Sequence, residues 1–289
     1  MKGRNVKPPC AILLYMIISW SLWAQEAGRK PEFGDLGIIE HGQATGTVVS
    51  NDPRPLYQAI AAVGQEYGWV IDFEDPRYRS PFDLVDATDA KWRADHPNDR
   101  GVTRIGGGMF QSSFPEPSTI TSGTAEEEVL QKLISDYNSS GNPGRFILRK
   151  EAERRYAVIG LSAKDDTGQE KMMPVVLDTH INIPSEHRSA LETLNLILKT
   201  LSSTAGVKVY ASMLSSNVIQ EPDIVVGGTD IPARVLLLET LQSANKRRFV
   251  RWDLLFNSDA NQYAFCISAA SKMEVDARGE QHPRFIERK

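Results

Sequence analysis

Cysteine is nearly missing from this chain: its 289 residues hold only Cys10 and Cys266. Cys10 precedes an apolar run, whereas the lipidated cysteine of a lipoprotein follows one. With the N-terminal segment removed, Cys266 would stand alone and no intramolecular disulfide could form, even in an oxidising compartment. Its place on a predicted inner strand position suits a buried, inert thiol. Histidine is scarce too, with His41, His96, His180, His187 and His282 and no HExxH spacing. Asp178 and His180 lie two apart on a predicted strand and point the same way. Zinc sites need at least three protein ligands, and the sequence places no third, so a polar solvent face is the favoured reading.

Other signatures are absent. No serine sits in a GxSxG elbow. Gly106, Gly107 and Gly108 lack the GxxxxGK[ST] pattern and open no helix, which reads as a flexible turn. Asp83, Asp86 and Asp89 are spaced by threes, not at the alternate positions of an EF-hand loop, and read as a solvated turn. The sequence therefore points to no enzyme, no cofactor and no metal. There is no basic block. The 33 Lys and Arg face 37 Asp and Glu, and loss of Lys2, Arg4 and Lys7 would leave a net charge of −7, which argues against nucleic acid as a partner.

What is present is globular: 41% of the residues are apolar and 24% charged, with length enough for one large domain or two small ones. Residues 1–24 read as a signal peptide. Their three cations precede the 13-residue apolar run Ala11–Trp23, short for a membrane span, with Ala24 as the last residue of the signal. The body is then periplasmic or secreted and not integral to the membrane; with Leu22 two before Ala24, an uncleaved anchor is the alternative. Residues 271–289, charged and Pro-containing, read as a disordered tail.

Between these ends the chain reads twice. In the later stretch, 173–270, Leu191, Leu194, Leu198 and Leu201 share a helix face, Gly206 ends the helix, and Val207, Val209 and Ala211 alternate as a strand. In the earlier stretch, 36–160, Leu56, Ala59, Ile60 and Val63 precede Gly68 and then Trp69, Ile71 and Phe73. Aligning the glycines matches Leu56 with Leu194 and Val63 with Leu201. A second helix in each half matches Val129, Leu130, Leu133, Ile134 and Tyr137 with Leu236, Leu237, Thr240, Leu241 and Ala244. Each half closes with a ribbon, and Tyr156–Ile159 matches Tyr263–Cys266. Residues 161–172, polar with Asp165, Asp166 and Gly168, read as a linker. The expected fold is α+β: two tandem repeats, each with two helices packed on a small mixed β-sheet.

The order strand, helix, strand, strand, helix, strand, strand resembles the secretin and TonB short N-terminal domain. The later half carries the likeness best, in Gly206–Tyr210 and in Ile224–Thr229 with the Ala233–Leu241 helix. The resemblance implies a periplasmic interaction module that binds envelope proteins and offers no catalytic residues. No barrel or secretin-like stretch follows in these 289 residues, so an adaptor or scaffold is implied rather than a gate.

Only the earlier half carries an insertion, residues 75–121, with five prolines and the glycine triplet. Irregular segments of that length in compact domains are uncommon and usually functional. In or beside it lie Trp69, Tyr78, Phe82, Trp92, Phe110 and Phe114, near Arg77, Arg79, Lys91 and Arg93. Aromatics beside arginines are typical of interaction hot spots, and they also pin long loops onto sheets. The expected function is an exported non-catalytic interaction module acting through sheet edges, from which Ser80–Pro117 could be deleted without loss of the fold. The alternative is a secreted enzyme or small-ligand binder with its site under the insertion.

Overall fold

The computed structural model describes residues 35–120, 124–214, 218–219 and 223–288. The predicted signal peptide and Cys10 lie outside the described residues. The architecture is mixed α/β, with helices packed between small sheets and one larger sheet.

The chain opens with the antiparallel strands β1 (Asp35–His41) and β2 (Thr45–Asn51). Helix α1 (Pro55–Tyr67) follows; Pro55 sits in its first turn, where its missing N–H costs nothing. It ends at Gly68, whose φ of 72° is the left-handed conformation that an L side chain resists. Strand β3 (Val70–Glu74) is buried at all five positions. After it come the short hairpin strands β4 (Leu84–Asp86) and β5 (Thr103–Ile105), with helix α2 (Ala90–Asp95) between them.

Strand β6 (Met109–Pro115) pairs antiparallel with β2 along its whole length. This corrects the sequence reading of 75–121 as one insertion: residues 109–115 belong to the sheet. Their pattern of alternate buried residues, Phe110, Ser112 and Phe114, marks a half-buried strand. Helix α3 (Ala125–Ser139) buries Val129, Leu130, Leu133, Ile134 and Tyr137, as expected. No capping box forms at Thr124, whose hydroxyl meets the Glu127 carboxylate instead of a backbone N–H.

The hairpin β7 (Arg145–Ala152) and β8 (Arg155–Lys164) follows, and β9 (Glu170–Met172) folds back on the end of β8. The predicted linker 161–172 is thus largely sheet. Strand β10 (His180–Arg188) runs through Pro184 and carries His187. Helix α4 (Ala190–Ala205) starts at a complete capping box of Ser189 and Glu192 and ends at left-handed Gly206, φ 62°. Then come β11 (Lys208–Leu214), β12 (Ile224–Pro232), helix α5 (Ala233–Ala244), and the hairpin β13 (Val250–Asn257) and β14 (Gln262–Ala269). Residues expected as a disordered tail instead form a hairpin, β15 (Ser271–Val275) with β16 (Gln281–Phe285).

The expected pair of separate sheets is replaced by a continuous one. Its strands run β11-β14-β13-β3-β8-β7, because β13 lies parallel to β3 with Asp253 opposite Phe73 and Leu254 opposite Glu74. The smaller sheets β1-β2-β6 and β10-β12 cover the other sides of the helices. One core gathers Leu56, Ile60, Leu133, Phe114 and Phe73; the other gathers Leu194, Leu201, Leu237, Trp252 and Phe265. Among the described residues, no helix is long and apolar enough to cross a membrane.

Candidate functional site

Where β3 meets β13, the sheet buries charge. Asp72 receives Arg155 Nε at 2.7 Å and Arg155 Nη2 at 3.0 Å, and the Trp252 backbone N–H donates to it at 2.9 Å. Glu74 accepts from Arg234 and from the Leu177 N–H at 3.1 Å. Asp75 accepts from Arg54 Nε at 2.6 Å and from the Phe256 N–H at 2.9 Å. Each carboxylate thus meets a guanidinium and also fixes a backbone N–H from residues beyond 173. Burial pushes all three carboxyls above the usual range, and the facing arginines offset that only in part.

Arg234 extends the network to Asp178, which also receives both outer nitrogens of Arg149 at 2.8 Å. Burial pushes Asp178 up, but these hydrogen bonds outweigh it and its carboxyl lies below the usual range. Arg234 Nη1 stands 3.5 Å from Glu151 Oε1, within ion-pair reach, yet neither atom has a hydrogen-bond partner. The Asp178–His180 pair considered from sequence is divided, since His180 turns to Asp230. Chemically this junction is a lock. Its carboxylates are engaged by guanidiniums and amides, which fixes β13 against β3.

The sequence reading missed these residues. The signal it passed over is Asp72, Glu74 and Asp75 in Val70-Ile71-Asp72-Phe73-Glu74-Asp75, carboxylates within a strand otherwise apolar. A buried strand with charges needs buried partners.

A second contact lies at the Asn257–Asn261 turn. Asp259 Oδ1 accepts from Thr103 N at 2.9 Å and from Thr103 Oγ1 at 2.6 Å. Asn261 Oδ1 accepts from Arg77 and Arg79 at 3.1–3.3 Å, and Arg100 donates to the Asp259 carbonyl. Residues 76–106 therefore clasp the far hairpin. Beneath the clasp is a cleft of about 370 Å³, bordered by Arg54, Arg104, Ile105, Tyr210 and Phe256.

The six aromatic candidates do not gather into one surface. Tyr78, Phe110 and Phe114 are core residues, which removes them as contact points for a partner. Tyr78 also donates to the Pro143 carbonyl at 3.3 Å. Trp69 is half-buried, stacked on Tyr67 at 4.9 Å. Only Phe82 and Trp92 are exposed, and Trp92 stacks on His96 at 4.7 Å. Of the three spaced aspartates, Asp83 is buried and accepts the Lys164 N–H at 2.6 Å, while Asp86 pairs with Arg93 and Asp89 caps α2. Cys266 is half-buried, and burial pushes its thiol up. Comparison with protein families, with curated proteins and with solved structures finds no match to this chain.

Proposed function

We propose that the chain is an exported, non-catalytic interaction module of the cell envelope, built from two tandem units of the secretin and TonB short N-terminal type. Support for the repeat comes from register. β2 pairs β6 antiparallel as β10 pairs β12, and β3 pairs β8 parallel as β11 pairs β14. Ile71 faces Tyr156 as Val209 faces Tyr263, each three residues past a left-handed glycine. In the ribbons, Phe146 faces Gly160 where Trp252 faces Ile267, so Trp252 is the counterpart of Phe146.

The observation that carries the interaction reading is the end strand β11. Among the described residues it pairs with β14 alone. The opposite end strand, β7, carries Arg145, Arg149, Lys150 and Glu151, charges that discourage added strands. β11 has Lys208 as its one charge and exposes Met213 at 66%. Such an edge accepts a partner strand through backbone hydrogen bonds. The test is a photo-crosslinker placed at Met213 or at Lys150 in cells. Envelope proteins captured from Met213 and not from Lys150 are expected; equal capture, or none, would refute the edge reading. Cell fractionation checks export.

The second reading, a small-ligand site, is favoured by the cleft beneath residues 76–106, where Arg54, Arg104 and Tyr210 meet an apolar floor. Its test is a thermal-shift screen of the protein against anionic metabolites, repeated with Tyr210→Ala.

A further inference from the structure

The β15–β16 hairpin sets Glu274 opposite His282 and Val275 opposite Gln281. Side chains alternate along a strand, so Glu274, Asp276, Glu280, His282 and Arg284 fall at alternate positions around the turn. The turn is closed by the Asp276 N–H on the Glu280 carbonyl, 2.9 Å, and by the Gly279 N–H on the Asp276 carbonyl, 3.0 Å, with Gly279 at φ 81°. Asp276 Oδ1 accepts the N–H groups of Arg278 and Glu280 at 2.8 and 2.9 Å. That leaves Oδ2, which stands 3.2 Å from His282 Nε2. Glu280 Oε2 lies 3.7 Å from the same nitrogen.

We propose that Asp276, Glu280 and His282 form a binding site for a divalent metal ion of the zinc class. The argument is geometric. Metal–nitrogen and metal–oxygen bonds of about 2.0–2.2 Å in a tetrahedron put neighbouring donor atoms about 3.3–3.5 Å apart. The separations of 3.2 and 3.7 Å bracket that range, and donor atoms of all three residues lie within 4.8 Å of one another. One imidazole with two carboxylates suits zinc, whereas calcium and magnesium take oxygen ligands.

Charge favours the same ion. Three carboxylates stand in this alternating row with two cations, Lys272 and Arg284, and Arg284 is held by Glu274 at 3.0 Å. Hydrogen bonds from the Glu280 and Arg278 amides to Oδ1 orient the Asp276 carboxylate and leave Oδ2 toward His282. All three side chains are exposed, and Asp276 and His282 border an open cleft of about 410 Å³ with room for water at the remaining coordination position. The competing reading is a solvated His–carboxylate network without metal.

The test uses the full chain without an added histidine tag, stripped with chelator and titrated with zinc alone by calorimetry. One equivalent bound is expected. His282→Gln and Asp276→Asn should each weaken binding by at least about tenfold; Asp276→Asn keeps the turn's acceptor oxygen. His180→Gln, which alters the separate exposed His180–Asp230 pair, should bind as the unaltered chain does. Cobalt in place of zinc should give visible bands of tetrahedral intensity that His282→Gln removes. No bound equivalent, or variants that bind like the unaltered chain, would overturn the site. Unmoved thermal transitions in both variants separate loss of ligands from loss of the hairpin.

Discussion

Strands β3 and β11 follow the same local signal, an amphipathic helix ended by a left-handed glycine, yet their surroundings differ. β3 lies between β13 and β8 and is buried at every position, while β11 has β14 on one side and exposes Lys208, Ser212 and Met213. The inner strand carries Asp72 and Glu74; the outer one carries a single lysine. Central burial forces each charge to find a partner, so β3 became the junction of the molecule. The outer strand, free of that demand, pairs on one side only among the described residues.

The coarsest way to break this comparison is to delete Ser80–Pro117, which spans the β4–β5 segment and β6. Because the deletion removes β6 and its seven-residue pairing with β2, loss of the cooperative thermal transition is expected by circular dichroism. A deletion confined to 85–104 should retain it. Next in size is Arg155→Leu, which strands Asp72 in the interior and should cost about 3–5 kcal/mol in urea unfolding. Lys208→Leu on β11 should stay within about 0.5 kcal/mol.

Gly68→Ala and Gly206→Ala sharpen the likeness. Each forces an alanine into the left-handed region and should cost about 1–2 kcal/mol. Neither added Cβ meets an atom closer than 3.4 Å, so similar losses are expected from both.

The smallest effect is on pH dependence. Arg149 and Arg234 hold Asp178 below its usual value in the folded chain. Its contribution is therefore present above the unfolded value of about 3.9 and is lost as pH falls through the lower folded value. Denaturation curves between neutral pH and pH 3 should show the unaltered chain losing stability below about pH 4 more steeply than Asp178→Asn does.

Much of the fold was legible locally. Leu194, Leu198 and Leu201 marked the buried face of α4, and Val129 through Tyr137 that of α3. The Ser189–Glu192 capping box was equally readable and was passed over. The candidate residues fared worse. Tyr78, Phe110 and Phe114 looked like hot-spot aromatics and are core, because composition carries no sign of which side of a loop faces the sheet.

The sequence by itself determined the buried faces of the main helices and the glycines that end α1 and α4, since apolar spacing and glycines act within a few residues. Only the tertiary structure decided that the two halves share one sheet, that Asp72 meets Arg155, and that residues 76–106 grip the 257–261 turn. Those contacts join residues 83 to 184 positions apart. Nothing short-range encodes them: the junction follows from burying β3 and matching its charges, and the grip on the turn from exposed arginines and Thr103 meeting Asp259 and Asn261.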